Sequence, residues 1–251
     1  MNKLKIFNAN AIKLLAALSM LIDHIGMLWN ILPLRYIGRI AMPLYAFMIA
    51  EGCYYTKNKF KHFACIFLLA LLCDTAFILF EPNYFHLSIL ATFAISIMLI
   101  YALDYFKIKL LDENARLVEK IFAGAIFAAG VFLTYVVTRL IKSVNGKPFY
   151  IDYDFFGCLL PVFASLFTLP KDKTPEKLAF LNSHIVKFLS FTVGLVALCL
   201  LLSAPIEWLC MLALIPIALY NGERGKLELK YFFYIFYPAH LVILYGLSMI
   251  I

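Results

Sequence analysis

The sequence predicts an all-α, polytopic membrane protein, a bundle of about nine transmembrane helices formed by a single domain over residues 1–251. The first reason is composition: 64% of the residues are hydrophobic, only 15% are charged, and the mean hydropathy is +0.90. Soluble domains contain roughly half apolar and a quarter charged residues. The second reason is that the apolar residues gather in runs of about twenty, enough to cross a bilayer core at about 1.5 Å per residue.

Nine such runs follow one another, and each is a predicted span: 11–32, 34–54, 62–80, 87–105, 121–141, 155–169, 186–203, 206–220 and 231–251. The sixth and eighth are short, so each is either re-entrant or crosses a thinned part of the bilayer. The first run is too long for a signal peptide and contains Asp23 and His24, so we expect it to remain as the first span.

Basic residues predict the orientation. Nine spans with a cytoplasmic N-terminus place most of the 22 basic residues in cytoplasmic segments. Arg35, Arg139, Lys142 and Lys147 remain outside, and Arg39 falls within a span. This bias satisfies the positive-inside rule and puts the C-terminus outside. The net charge of +7 then indicates contact with anionic lipid rather than with nucleic acid.

The six cysteines lie within or at the ends of the apolar runs. They form neither a C-x-x-C pair nor a cluster with histidines at the spacing of metal ligands. We therefore expect small buried thiols, with no disulfide framework and no bound metal.

Asp23 and His24 interrupt the first apolar run. A carboxylate and an imidazole inside lipid cost several kcal/mol unless they are paired or face a polar cavity. They are either a packing contact or a functional site, and we favour the functional site because Arg39 lies at a similar depth, about 10 Å below the outer face by helical rise. Adjacent side chains on a helix point about 100° apart, so Asp23 need not contact His24 and can pair with Arg39 instead.

Further polar residues fall within other spans. Glu51 lies towards the cytoplasmic end of the second span, where its side chain can also reach the interface, and Asp74 lies in the third. Tyr237 and His240 form part of a polar stripe in the last span. Tyrosine stripes often serve packing, but His240 follows Pro238, whose missing N–H frees a backbone carbonyl.

Two loops carry candidate binding groups. The outer loop presents Asp152 and Asp154 among aromatic residues, where carboxylates can bind an amine or a sugar, although a cluster of interfacial aromatics explains it slightly better. The inner loop, from Asn221 to Lys226, contains two glycines whose backbone N–H groups can bind an anion beside Arg224. A simple basic turn at the cytoplasmic face is the stronger explanation of that loop.

This set of groups is suited to acyl transfer. An imidazole can take the proton from an incoming hydroxyl or amine, while Arg39 or a helix-end amide stabilises the developing oxyanion. The alternative is a transporter or proton-coupled channel that uses the Asp, His and Glu side chains as a relay, although the sequence lacks the repeated halves that such folds often show.

Five motifs occur in order along the chain: MLIDHIG from Met20, RYIGRIAMP from Arg35 followed by Glu51 and Gly52, DYDFFG from Asp152, YNGERGK from Tyr220 and FYIFYPAH from Phe233. Through these motifs nearly the whole chain resembles the TraX family of bacterial conjugation-associated membrane proteins. A more distant resemblance is to the membrane-bound acyltransferases that modify polysaccharides. It is carried by the first-helix histidine, the R-x-x-x-R-x-x-x-P segment and the final Y-P-x-H. The lysosomal heparan N-acetyltransferase is a further relative of the same kind.

The resemblance implies N-acetylation of a pilin subunit, or acetylation of a cell-envelope glycan, at the inner membrane of a bacterium. It implies acetyl-CoA as the donor substrate, entering from the cytoplasm, and membrane lipid as the surroundings. Taken together, the residue pattern and the resemblance nominate His24, Asp23 and Arg39 for catalysis; Arg35, Asn221, Arg224, Lys226, Tyr237 and His240 for the donor; and Glu51, Asp152 and Asp154 for the acceptor.

Overall fold

A computed structural model describes residues 6–202, 205–227 and 229–250, without the side chains of Lys230 and Tyr231. The ends of the predicted spans at residues 203 and 251 lie outside the described residues. The described chain is predominantly helical, as predicted. Its α-helices are α1 Ala9–Leu28, α2 Leu32–Gly38, α3 Ala41–Tyr55, α4 Lys59–Phe80, α5 Ile89–Leu111, α6 Leu117–Tyr135, α7 Asp154–Ser165, α8 His184–Leu202, α9 Leu214–Ala218 and α10 Lys230–Ser248.

Five helical segments are long and apolar enough to cross a membrane, which agrees with a multi-pass membrane protein. They are Ala9–Leu28, Lys59–Phe80, Ile89–Leu111, Leu117–Leu140 and His184–Leu202. The fourth combines α6 with the π-helical turn Val136–Leu140. The number of nine spans and the orientation of the N-terminus stay predictions.

The second predicted span, 34–54, is two helices rather than one, because the backbone turns at residues 39 and 40 between α2 and α3. Pro43 explains the break, since it lacks the N–H that would bond to the carbonyl of Arg39 in a continuous helix. That carbonyl instead accepts a hydrogen bond from the Sγ of Cys210 at 3.1 Å.

Two other predicted spans are shorter or less regular than a full crossing. The sixth corresponds to α7, which has 12 residues. The eighth begins as a 3₁₀ helix, Pro205–Ala213, and continues as the five-residue α9. Long 3₁₀ runs are uncommon in proteins and often mark strained or functional segments.

A small three-stranded sheet departs from the all-α prediction. Strand β1, Phe85–Leu87, pairs in parallel with β3, Lys147–Ile151, and β3 pairs antiparallel with β2, Ser143–Val144. The sheet joins the connection between α4 and α5 to the connection between α6 and α7. These strands are too short to give a pattern of alternating hydrophobicity in the sequence.

The chain divides into two compact units, residues 1–48 with 195–251, and residues 49–194. In the first unit, α1 packs against α2 and α10, and the fully buried side chains of this unit include Ile12, Leu44 and Phe47. In the second unit, α5 packs against α4, α6 and α7 around Ile97 and Leu160. Asp23, His24, Arg39 and His240 all belong to the first unit.

Candidate active site

Asp23 on α1 is held by both arginines of the R-x-x-x-R segment. Its Oδ2 accepts a hydrogen bond from Arg35 Nη1 at 2.7 Å, and its Oδ1 accepts one from Arg39 Nη2 at 2.7 Å. The Arg39 side chain is only 8% exposed and that of Asp23 is 15% exposed. The structure therefore brings together three predicted site residues, and Asp23 pairs with Arg39, as the sequence analysis allowed.

Glu207 is a fourth member of this cluster, which the sequence analysis missed. Its Oε1 accepts a hydrogen bond from Arg39 Nη1 at 3.0 Å, and its backbone carbonyl accepts one from the thiol of Cys199 at 3.3 Å. The 3₁₀ helix Pro205–Ala213 places this carboxylate beside α2. The available signal in the sequence was a single charge within an apolar run. Its importance follows from the charge balance, because Asp23 alone leaves one of the two positive charges of Arg35 and Arg39 uncompensated.

The four charges of the cluster balance. Two guanidinium groups face two carboxylates, so the site carries no net charge among Asp23, Arg35, Arg39 and Glu207. Burying an ion is expensive unless its partner and further hydrogen bonds compensate for the lost water. Arg39 meets that condition through Asp23, Glu207 and the backbone carbonyl of Arg35, which accepts from Arg39 Nε at 3.3 Å.

His24 and His240 form the second half of the site. The Nδ1 of His24 lies 3.2 Å from the Nε2 of His240, and the two ring centroids are 5.0 Å apart. The His240 side chain is buried and stacks on Phe236, and the ring of Tyr237 meets its ring edge-on. The structure therefore joins His24 on α1 to His240 on α10, the last helix of the chain.

Backbone carbonyls identify the tautomers of these two rings. The Nδ1 of His24 lies 2.9 Å from the carbonyl of Met20, and the Nδ1 of His240 lies 2.8 Å from the carbonyl of Phe236. A carbonyl can only accept, so each Nδ1 carries a proton in the neutral rings. His24 Nδ1–H is then shared between Met20 and His240 Nε2, and the remaining basic nitrogen of His24 is Nε2.

Two glycines permit the close approach of α1 and α2 that forms the cluster. A Cβ atom on Gly38 would lie 2.2 Å from both Cβ and Oδ1 of Asp23. A Cβ atom on Gly26 would lie 2.9 Å from the backbone oxygen of Ile31 and from Cβ of Leu34. Both glycines belong to the motifs that carry the resemblance, and their role in the structure is to let α1 and α2 approach each other closely.

The glycine-rich turn at residues 221–227 docks on the first turn of α1. The carbonyls of Glu223 and Arg224 accept hydrogen bonds from the backbone N–H groups of Ala9 and Asn10, at 2.8 and 3.2 Å. Gly222 and Gly225 adopt φ angles of 81° and 89°, which other residues rarely adopt. The turn therefore satisfies N–H groups that a helix start otherwise leaves without partners.

The predicted donor residues of this turn differ in their surroundings. The side-chain oxygen of Asn221 accepts the N–H of Glu223 at 2.8 Å, so this amide stabilises the turn itself. Arg224 and Lys226 are exposed, and none of the described residues forms a salt bridge with either. Their exposed charges are compatible with binding an anion.

The three predicted acceptor residues belong to the second unit, and each has a partner there. Glu51 forms a buried ion pair with Lys187. Asp154 pairs with Arg139 at 3.2 Å.

Asp152 accepts a hydrogen bond from His86 Nε2 at 2.7 Å. Burial alone would lower the pKa of His86, but the hydrogen bond and negative charge of Asp152, with the charges of Asp74 and Glu81, raise that pKa above its ordinary value. His86 is therefore positively charged over a wider range of pH, which strengthens its pairing with Asp152.

The fold and the site together define a multi-pass membrane protein with a buried polar centre, in which a charged cluster lies beside a histidine pair. A sequence profile described as TraX protein matches residues 8–248. The chain belongs to the TraX family.

A curated relative shares 22% identity over 260 residues, covering 97% of this chain and 96% of the relative. It is named as the probable fimbrial assembly protein FimC, serogroup H1, of Dichelobacter nodosus. No solved structure matches the chain.

Proposed function

We propose that this protein is an acetyl-CoA-dependent acyltransferase of the bacterial cytoplasmic membrane. Its acceptor is an amine or hydroxyl of a pilin or another envelope component, reached from the outer side. The observation that carries the proposal is the hydrogen bond between His24 and His240, because it orients an imidazole that can act as a base on the same helix as Asp23 of the charge cluster. Membership of the TraX family supports acetylation, and the relative named for fimbrial assembly supports a surface filament as acceptor.

In this mechanism His24 is the general base. Its Nε2 accepts the proton of the acceptor N–H or O–H while the acceptor nitrogen or oxygen bonds to the thioester carbonyl carbon. The carbon–sulfur bond then breaks, and the imidazolium gives its proton to the departing CoA thiolate. His240 accepts the His24 Nδ1–H throughout and keeps the ring in the reactive orientation.

We assign different electrostatic roles to the two arginines. The N–H groups of Arg39 bond to Asp23 and Glu207, so Arg39 holds the cluster together. Arg35 contacts Asp23 through Nη1 alone in the described part of the chain, and its side chain is 27% exposed. Arg35 is therefore the better candidate than Arg39 to stabilise the oxyanion that forms on the thioester carbonyl.

The test is transfer of the radiolabelled acetyl group of acetyl-CoA by purified protein. His24→Gln should lower the rate by about 10²- to 10⁴-fold, since a positioned general base contributes that much. His62→Gln is the matched control, because His62 pairs with Tyr101 in the second unit and has no role in the mechanism.

Equal rates for the wild type and His24→Gln would remove the base assignment. Binding or passage of a solute without any consumption of acetyl-CoA would instead support a transporter that uses the same buried polar groups.

A further inference from the structure

The first helix carries a basic residue that the mechanism above does not use. Lys13 lies in α1, between the docked turn and His24. Its Nζ lies 5.9 Å from the centroid of the Phe233 ring on α10. None of the described residues forms a salt bridge with it.

Lys13 lies close to a second positive charge. The backbone carbonyl of Arg224 accepts a hydrogen bond from Asn10, which is less than one helical turn from Lys13. Because the Arg224 backbone bonds to the turn of α1 that precedes Lys13, the positive charges of Lys13 and Arg224 lie in the same neighbourhood. Two neighbouring cations that form no salt bridge with any of the described residues favour binding of an anion.

The position of Lys13 on α1 determines how far this anion site lies from His24 and on which face of the helix. Eleven residues separate the two, which is about 16 Å along the helix and only about 20° beyond three full turns. Lys13 and His24 therefore share one face of α1. The pantetheine arm of CoA has about thirteen bonds between its sulfur and first phosphorus, or about 15 Å when extended at about 3.5 Å per three bonds.

We propose that Lys13 and Arg224 bind the phosphates of the donor nucleotide, so that α1 holds acetyl-CoA at one end and presents His24 to the thioester at the other. This assignment rests on the proposed acetyl transfer. The proposed phosphate-binding residue Lys13 then lies on the same helix as the proposed base His24. The distance between these two residues along α1 matches the length of the pantetheine arm.

The experiment compares acetyl-CoA with acetyl-pantetheine, which has the same thioester and no phosphate. Lys13→Met keeps a long side chain against Phe233 and removes the charge. It should lower kcat/KM for acetyl-CoA by about 10- to 100-fold, the effect of a lost charged hydrogen bond. The value for acetyl-pantetheine should stay within about twofold of wild type, because that donor has no phosphate for Lys13 to bind.

Two further variants complete the comparison. Lys13→Arg should retain most of the preference for acetyl-CoA, since the charge remains. Lys61→Met removes an exposed lysine of the second unit and should leave both donors unaffected. If Lys13→Met fails to fold, Arg224→Gln on the exposed turn provides the same test. An equal loss for both donors, or no loss for either, would overturn the assignment.

Direct binding separates this inference from the proposed reaction. If the wild type transfers no acetyl group, CoA affinity is measured by calorimetry in nanodiscs of phosphatidylcholine, with and without phosphatidylglycerol. Weaker CoA binding by Lys13→Met would support the phosphate site while the acetyltransferase proposal fails. Unchanged CoA affinity, no CoA binding, or a dependence on Lys13 only for phosphatidylglycerol would overturn the nucleotide assignment.

Discussion

Arg39 depends on two carboxylates that come from distant parts of the chain. Asp23 and Glu207 each accept from a different nitrogen of its guanidinium, and Arg35 completes the balance of charge. Removing one partner of a buried pair leaves an uncompensated charge, which is more damaging than the pair itself is stabilising. Glu207 is therefore as important for the geometry of the site as the two arginines are.

Glu207→Ala should lower the free energy of unfolding by about 3–5 kcal/mol, because the Arg39 charge loses one of its carboxylates. Glu207→Gln should cost less, since an amide oxygen still accepts from Arg39. The measurement is denaturant unfolding in detergent micelles. Glu223→Ala, on the exposed turn of the same unit, is the control and should change stability by less than about 0.5 kcal/mol. Equal stability of both alanine variants would contradict the importance of Glu207.

At this scale the sequence singled out most of the polar residues that the structure brings together in one unit. Asp23, His24, Arg39 and His240 stood out because each interrupts an apolar run, and the structure groups them within one unit. The contact between the two histidines was beyond prediction, because it depends on the rotation of α10 against α1. Glu207 was missed because a single charge is tolerated within an otherwise apolar span.

At the scale of elements, the short helix α2 and its close contact with α1 form the charge cluster. Gly38 lets the last turn of α2 approach Asp23, and the break after Gly38 allows Arg39 to point towards two carboxylates. The site is thus built on a helical break that Pro43 enforces, and not on an uninterrupted transmembrane helix.

Gly38→Ala should separate α1 from α2, because the added methyl group overlaps Asp23. Overpacking of this kind costs about 1–3 kcal/mol, and we expect acetyl transfer to fall with it. Gly246→Ala is the matched control, since a Cβ atom there meets no atom within 4 Å. It should leave activity unchanged and shift stability by no more than about 1 kcal/mol. Thermal unfolding and label transfer, measured on the same preparations, test both expectations.

Helices were predictable to the extent that their residues are continuously apolar, as in α1, α4, α5 and α8. The 3₁₀ segment and the small sheet could not be predicted in this way, because both depend on contacts with residues that are distant in the sequence. His86 in β1 lies opposite Tyr150 in β3, a pairing that no local pattern specifies. The pairing of short strands that are far apart in the chain depends on the tertiary contacts around them more than on their own sequences.

At the scale of the whole molecule, the number of spans decides which groups face which compartment. Nine spans with the N-terminus inside place the turn between β2 and β3 outside. Five spans, counting only the long apolar helices with the same N-terminus, place it in the cytoplasm. The loop at Lys171–Lys173 is cytoplasmic in both topologies, so it serves as a reference.

An epitope inserted at Gly146 should be accessible to antibody in intact spheroplasts. Gly146 is exposed, and a Cβ there meets no atom within 4 Å, so the insertion should be tolerated. The same epitope at Lys173 should become accessible only after permeabilisation. Protection of the Gly146 epitope in intact spheroplasts would refute the nine-span topology and would move Asp152 and Asp154 to the cytoplasmic side.

The contacts of Arg39 with Glu207 and of His24 with His240 join residues that are 168 and 216 positions apart. During translation α1 and α2 leave the ribosome long before either partner exists. The nascent polypeptide therefore carries a poorly compensated arginine, and the His24 ring gains its contact with His240 only when α10 has been inserted. Nascent chains that do not yet include Glu207 and His240 therefore lack both contacts.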